Sequence, residues 1–489
     1  MNLEAQVNSP RNMTLMMDFY ELTMSYTYFK KGLKDQMVYF DMFYRSNPDR
    51  GGFVIFAGLE QLIECIEQMH FNDSDIQYLR SLNKFDEEFL SYLKEFKFTG
   101  NVYSMKEGTP CFPNEPLITI KAPIIEAQLL ETFLLVTINH QSLIATKANR
   151  IKRVAKDKAV LEFGARRAQG YDGANYGARA AYVGGVDSTA TVSAGKLFDI
   201  PVVGTMAHSF VQLFDTEFEA FETYARTYPD NCVLLVDTYD TLKIGVPNAI
   251  RVAKEVLEPM GKRLQGIRLD SGDIAYLSKK ARMMLDVAGC CDCKIVASNS
   301  LDEYLIRSLS EQGAMIDTYG VGENLIVSKS SPVFGGVYKL VAVEKDDEVV
   351  SKIKISENAE KITNPGYKRV YRLYEKDNGK AIADIMAHYS EELDNSKDLT
   401  IYHQSDIWKF KTIEANTYEI EELQIPIFKE GKCVYHSPSL NDIRLYSKQA
   451  QNKLWDEIMR LEFPHIYYVD LTKRLLDDKM KLLHDRKVG

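Results

Sequence analysis

Tryptophan is almost missing from this chain, with 2 among 489 residues, and the 7 cysteines are odd in number and lack framework spacing. A small disulfide-stapled scaffold is excluded, and the length leaves room for roughly three domains of about 150 residues. No stretch approaches the ~18 to 20 uninterrupted apolar residues that a membrane span requires, so a membrane is not an expected partner. The N-terminus, MNLEAQVNSPRNM, lacks the basic-then-apolar layout of a signal peptide. A cytoplasmic protein with reduced thiols is expected. Excess positive charge is lacking as well: 60 Lys+Arg against 69 Asp+Glu leave a formal charge of −9 without a local basic stripe, which disfavours nucleic acid.

The only cysteine cluster, Cys290, Cys291 and Cys293, has no second pair of ligands nearby in sequence, and buried or half-exposed thiols are its expected state. Two phosphate signatures are also incomplete. Gly320-Val321-Gly322 lacks the third glycine of a dinucleotide fingerprint, and no GK[ST] follows as in a P-loop.

What is present divides into three stretches. Residues 1–115 mix helical spacing (Leu15, Phe19, Leu22 and Tyr26, then 59–70 and 75–96) with a short aromatic strand at 37–45. Residues 116–344 repeat an apolar run, a small-residue turn and an amphipathic segment, the sequence form of β/α units. The runs are AVLEF (159–163), IPVVG (200–204), VLLV (233–236), GIRL (266–269), KIVA (294–297) and MIDTY (315–319). Ser300 and Glu303 read as a capping box before Leu305, and Ile274 to Ala288 keeps one apolar face. An α/β parallel barrel or an open doubly wound sheet follows. Residues 345–489 are expected to send strands back toward the N-terminal domain and then form helices: Asp377-Asn378-Gly379 between two strand-like runs predicts a type I′ hairpin, and leucines from Leu454 to Leu482 predict helices.

In a parallel β/α architecture the chemistry gathers after the strands, and those positions are polar here: Gly164 to Arg167, Thr205 to Ser209, Asp237 to Thr241, Asp270 to Asp273, Ser298 to Ser300, and Gly320 to Asn324. Asp237, Asp240, Asp270 and Asp273 can each cap a helix. As two D-x-x-D patterns they can also hold sugar hydroxyls or Mg²⁺, which places Asp237 and Asp273 as candidate metal ligands. Arg166 and Arg167 suit bidentate recognition of carboxylate or phosphate. His208 ends a run among anion-binding candidates, a setting that no other histidine shares. These residues suggest an enzyme acting on a phosphorylated sugar with Mg²⁺, passing through an oxocarbenium-like state while diphosphate leaves.

The motifs MMDFYELTM (16–24), FDMFYRSNP (40–48), ATKANR (145–150), EFGARRAQGYDGA (162–174), ARAAYVGGVDSTATVSAGK (178–196), IPVVGTMAHSF (200–210), IRLDSGD (267–273), DTYGVGENL (317–325) and VYKLV (337–341) stand in order. Together with YYVDLTKRLL near the C-terminus, they resemble the nicotinate phosphoribosyltransferase family. The resemblance implies an irregular (β/α) barrel with an N-terminal α+β domain and a C-terminal extension, assembled as a homodimer with shared active sites. It implies transfer of phosphoribosyl from 5-phosphoribosyl 1-diphosphate to nicotinate, coupled to ATP, with Mg²⁺.

By the same resemblance His208 is the histidine that ATP phosphorylates, and Arg268 and Asp270 position phosphoribosyl diphosphate. Tyr20, from a neighbouring subunit, and Phe163 sandwich the pyridine ring. Arg166 meets diphosphate or the nicotinate carboxylate, Gly320 and Gly322 lie near the 5-phosphate, and Asp187 and Thr189 belong to the substrate-binding set. Two departures stand out. Glu323 replaces a threonine common in GVGT, and STATV (188–192) lacks the acidic residue of the GTDTV segment in nicotinamide-using relatives, so Ala190 and Thr191 favour nicotinate by removing repulsion. A nicotinamide-specific enzyme and a catalytically silent sensor are the alternatives.

Overall fold

The computed structural model describes residues 12–356, 361–406 and 408–485. Contacts divide the chain into two compact units, 1–143 with 333–489, and 144–332. This differs from three consecutive stretches, and strand pairing supplies the reason. Met37–Tyr44 pairs antiparallel with Ile118–Pro123 on one side and Gly336–Lys345 on the other, and Asn101–Met105 pairs with Gln424–Lys429. Backbone groups distant in sequence thus satisfy one another, which makes the N- and C-terminal stretches a single body.

The first unit holds a seven-stranded and a six-stranded sheet. Lys368, from the second sheet, reaches Asp41 of the first at 2.5 Å with both side chains buried. Arg372 grips Asp384 through two hydrogen bonds of 2.7 and 2.6 Å, and Tyr467 donates to the same carboxylate. The hairpin forms between Lys368–Glu375 and Ala381–His388, but only Gly379 of its turn lies at positive φ, so it is not type I′. Asn378 accepts from the Lys380 amide through its side chain, which closes a longer loop. Residues 75–96 split into helices Asp73–Ser81 and Glu87–Lys94, capped by Asn72 and Asp86. Leu454 and Ile458 are buried but lie in turns after helix Leu440–Asn452.

The second unit carries the parallel sheet. Its strands are β1 (Ala159–Glu162), β2 (Ser188–Thr189), β3 (Val233–Leu235), β4 (Gly266–Leu269), β5 (Lys294–Ala297) and β6 (Thr318–Val321), in the order β2-β1-β6-β5-β4-β3. The last strand pairs with the first, as barrel closure demands, whereas a doubly wound sheet reverses its order. IPVVG contributes a single bridge, Val202 to Thr189, so the barrel is incomplete beside β2. Its core packs Val211, Phe221, Leu234, Val236, Val246, Ile267, Leu269, Leu285 and Ile295.

The expected capping box at Ser300 is not formed. Ser300 has positive φ, and Asp302 caps helix Glu303–Glu311 by accepting from the Leu305 amide at 2.7 Å. Glu303 is released for another role: fully buried, it pairs with Lys147 and Arg150, each at 2.8 Å. Removing either charge from such a cluster leaves a partner stranded in low dielectric. Among the described residues no helix is long and apolar enough to cross a membrane.

Candidate active site

The carboxyl ends of the strands, with the segment after IPVVG, bring Phe163, His208, Asp237, Asp270, Gly320 and Gly322 together around Arg268. Arg268 lies in β4, and register with β5 places it beside Val296, one residue before the strand end. Its Nε donates to Ser298 Oγ at 2.9 Å, its Nη1 to Thr205 Oγ1 at 3.2 Å, and its Nη2 to Asp270 Oδ1 at 2.6 Å. Only 12% of its side chain is exposed, so the guanidinium plane is held from three sides. The Phe163 ring lies 5.6 Å away, within cation–π range.

Phe163 is seated by the glycines of the β6 turn. A Cβ on Gly320 would fall 2.7 Å from the Phe163 ring, and one on Gly322 3.2 Å from the Phe163 carbonyl oxygen. Both glycines therefore clear space for Phe163, an explanation independent of phosphate. Glu323 turns toward Lys329, with which it forms a hydrogen-bonded ion pair, and lies 3.8 Å from Arg167. The Lys329 contact holds its carboxyl below the usual range. The negative charge beside the glycine turn is thereby compensated.

Asp270 links Arg268 to the histidine. Its backbone N–H donates to Asp237 Oδ2 at 2.8 Å, and the Ser271 hydroxyl donates to that same oxygen at 2.7 Å. His208, at the first position of helix His208–Gln212, keeps Nδ1 3.1 Å from Thr238 Oγ1 and Nε2 4.0 Å from Asp270 Oδ2. With 41% of its side chain exposed, the ring is open to a reactant.

The four aspartates separate by role. Asp240 and Asp273 are helix caps, accepting from the Leu242 and Lys243 amides and from the Tyr276 amide. Asp237 and Asp270 instead join neighbouring strand ends. Asp237 Oδ1 is buried and has no partner among the described residues, but no three of His, Cys, Asp and Glu there are grouped to hold a metal ion. Asp273 is engaged as a helix cap, whereas the free Asp237 Oδ1 suits a Mg²⁺ that a phosphate substrate carries, because Mg²⁺ commonly takes only one or two protein carboxylates.

Other candidates lie elsewhere. Asp187 sits at the start of β2, where it accepts from Lys152 Nζ at 2.8 Å and from the Val160 amide at 2.9 Å, at the opposite end of the strands from the cluster. Arg166 is exposed and makes no hydrogen bond or ion pair among the described residues. Tyr20 is 43% exposed on helix Phe19–Lys30 of the first unit. Cys290 and Cys293 are buried, which raises both thiols, that of Cys293 to about 12.

Thr189 reveals a residue that sequence reasoning passed over. Its hydroxyl donates at 2.6 Å to Glu162, a glutamate counted within the apolar run AVLEF. Burial raises the Glu162 carboxyl, and hydrogen bonds from Thr189, Gly164 and Thr191 oppose that rise. The available signal was a carboxylate inside an otherwise apolar strand. Ser298 and Thr238 were also unassigned, although Ser298 stands directly after β5 and Thr238 three residues after β3.

Profiles of the nicotinate phosphoribosyltransferase (NAPRTase) N-terminal domain, family and C-terminal domain match residues 15–139, 159–366 and 367–479. The Bacillus subtilis nicotinate phosphoribosyltransferase is 47% identical over 480 residues, covering 97% of this chain and 96% of that protein. This chain belongs to the nicotinate phosphoribosyltransferase family. Another relative of that name, from Dictyostelium discoideum, is 36% identical across 95% of this chain and 87% of its own length. The crystal structure of human nicotinic acid phosphoribosyltransferase superposes with a TM-score of 0.85 at 29% identity, covering 95% of this chain and 99% of that one. As a member of the nicotinate phosphoribosyltransferase family the chain is an enzyme of α/β fold, and the Phe163–Arg268–Asp270–His208 cluster is its candidate centre.

Proposed function

We propose that this enzyme transfers the phosphoribosyl group of 5-phosphoribosyl 1-diphosphate to nicotinate, giving nicotinate mononucleotide and diphosphate, and couples the transfer to ATP hydrolysis through His208. The observation that carries the reading is the single hydrogen-bonded row from Ser298 and Arg268 through Asp270, with His208 Nε2 at its open end.

The pyridine nitrogen attacks the anomeric carbon, the carbon–oxygen bond to diphosphate breaks, and its electron pair leaves with diphosphate. Arg268 supplies positive charge where negative charge develops. Asp270 accepts from ribose hydroxyls and faces the positive charge that grows on the sugar. Phe163, steadied by Gly320, offers a ring face to the base. Arg166, exposed and unpaired among the described residues, meets the nicotinate carboxylate.

For the coupled step, Thr238 Oγ1, 3.1 Å from His208 Nδ1, suits the tautomer in which Nδ1–H donates to it and Nε2 is left unprotonated. Nε2 then carries the lone pair that attacks the terminal phosphorus of ATP, and ADP departs with the electrons of the broken bond. Magnesium enters only as an ion carried on the phosphate substrates. A second subunit supplies Tyr20 to the other face of the base, in a homodimer.

The test is chromatographic detection of product from the purified protein with phosphoribosyl diphosphate and Mg²⁺, offering nicotinate and nicotinamide in parallel, each with and without ATP. Nicotinate mononucleotide stimulated by ATP is expected, and His208→Asn should keep a residual transfer that ATP no longer accelerates. Equal stimulation of variant and parent overturns the role of His208. Product from nicotinamide alone overturns the choice of base, and no product from either base favours a silent sensor.

A further inference from the structure

Glu162 is the last residue of β1 and is only 1% exposed. Its carboxylate has no cationic partner among the described residues, and all its contacts are hydrogen-bond donors. Oε1 accepts from the Gly164 backbone N–H. Oε2 accepts from Thr189 Oγ1 at 2.6 Å and from Thr191 Oγ1 at 3.3 Å. Its carbonyl accepts from the Ala190 amide at 2.9 Å, and the Thr191 amide in turn donates to Thr189 Oγ1 at 2.9 Å. The Glu162 side chain therefore ties the turn that carries Phe163 to Thr189 and Thr191, and its carbonyl holds Ala190 between them. The fit is close: a Cβ on Gly164 would lie 2.9 Å from Glu162 Oε1 and 2.5 Å from Ile326 Cβ.

We propose that Glu162 is a positioning residue for the base: it locks the Phe163 turn and the Thr189–Thr191 loop into one arrangement and so sets the affinity for nicotinate without touching it. The proposal rests on the reading above, in which Phe163 stacks on the pyridine ring. An ionised carboxylate fits because it only accepts, and each of its two oxygens faces donors. A glutamine fits less well in either orientation. With its oxygen toward the threonines its amide N–H meets the Gly164 N–H; flipped, it can donate to the hydroxyl oxygens, but the two hydroxyl protons then lose the carboxylate that accepted them. The tie is weakened in both cases, while side-chain volume and length are kept.

Glu162→Gln should raise the KM for nicotinate about tenfold or more, and leave the KM for phosphoribosyl diphosphate within about twofold, because misplacement of a substrate-positioning group is felt at the group it positions. Thr189→Val, which deletes one donor at nearly constant volume, should give the same base-selective rise and decides the matter if Glu162→Gln fails to fold. The double variant should be no worse than the poorer single, as expected for residues acting through one hydrogen bond. A merely structural role would lower the yield of folded protein or move both KM values together. An unchanged nicotinate KM in a folded variant overturns the proposal, as does a lower one, which would mean that the charge of Glu162 repels the base. A parent enzyme that makes no nicotinate mononucleotide overturns the functional reading and this inference with it; an active parent with unaltered variants overturns this inference alone.

Discussion

Glycine at 320 shows how a residue of little apparent chemistry governs the centre. A Cβ there would stand 2.7 Å from the Phe163 ring, so any side chain forces that ring to move. Gly320→Ala should lower kcat/KM for nicotinate roughly ten- to hundredfold by tilting Phe163, given the steep cost of about 1 Å of misplacement, and steady-state kinetics with the base varied will read it. Glycine spacing was legible in the sequence, but its reason was not, because close approach of Phe163 depends on pairing between β1 and β6. The same holds for the aspartates. Caps and site residues share a D-x-x-D spelling, and only the partners of Asp237 and Asp270 separate them from Asp240 and Asp273.

Helix Lys473–Asp485 illustrates a buried charge at the level of an element. Lys479, 7% exposed, donates to Asn364 Oδ1 at 2.7 Å and to the Gln404 carbonyl at 2.9 Å, without a carboxylate partner among the described residues. Burial, followed by repulsion from Lys368, pulls its ammonium down to about 8. Between that value and the ordinary one for an unfolded chain, the unfolded state holds a proton that the folded state lacks. Stability gains from this group as pH rises through the window and loses as pH falls toward 8, by a few kcal/mol at most. Lys479→Met should therefore be favoured most near pH 7.5 and progressively lose that advantage toward pH 10, whatever constant penalty Asn364 and Gln404 add. Urea denaturation of both proteins across that range measures it; a pH-independent difference would sink the argument. The leucine spacing located this helix, and the strand Val469–Leu471 took its first leucine because Leu471 pairs with Met386.

At the scale of the whole molecule, the proposed shared-site homodimer makes a sharp prediction. Tyr20→Ala and His208→Asn should each be nearly inactive in ATP-coupled transfer, yet mixing the unfolded chains and refolding them together should restore up to roughly a quarter of the parent activity, since one mixed site in two would carry neither lesion in half of the chains' pairings. No recovery would place Tyr20 and His208 in the same subunit's site. By itself the sequence determined the β/α repeat, the family and the polar residues that follow each strand, because apolar periodicity and ordered motifs are local properties of the chain. The sequence led to the expectation that strands return toward the N-terminal stretch, but it did not determine which strands pair to make residues 1–143 and 333–489 one body, such as Met37–Tyr44 with Gly336–Lys345, because no local pattern specifies them. Nor did it mark Glu162 as the tie between two loops. A glutamate in an apolar run acquires a meaning only when folding brings Thr189, Thr191 and the Gly164 amide to its two oxygens and removes the water that would otherwise satisfy them.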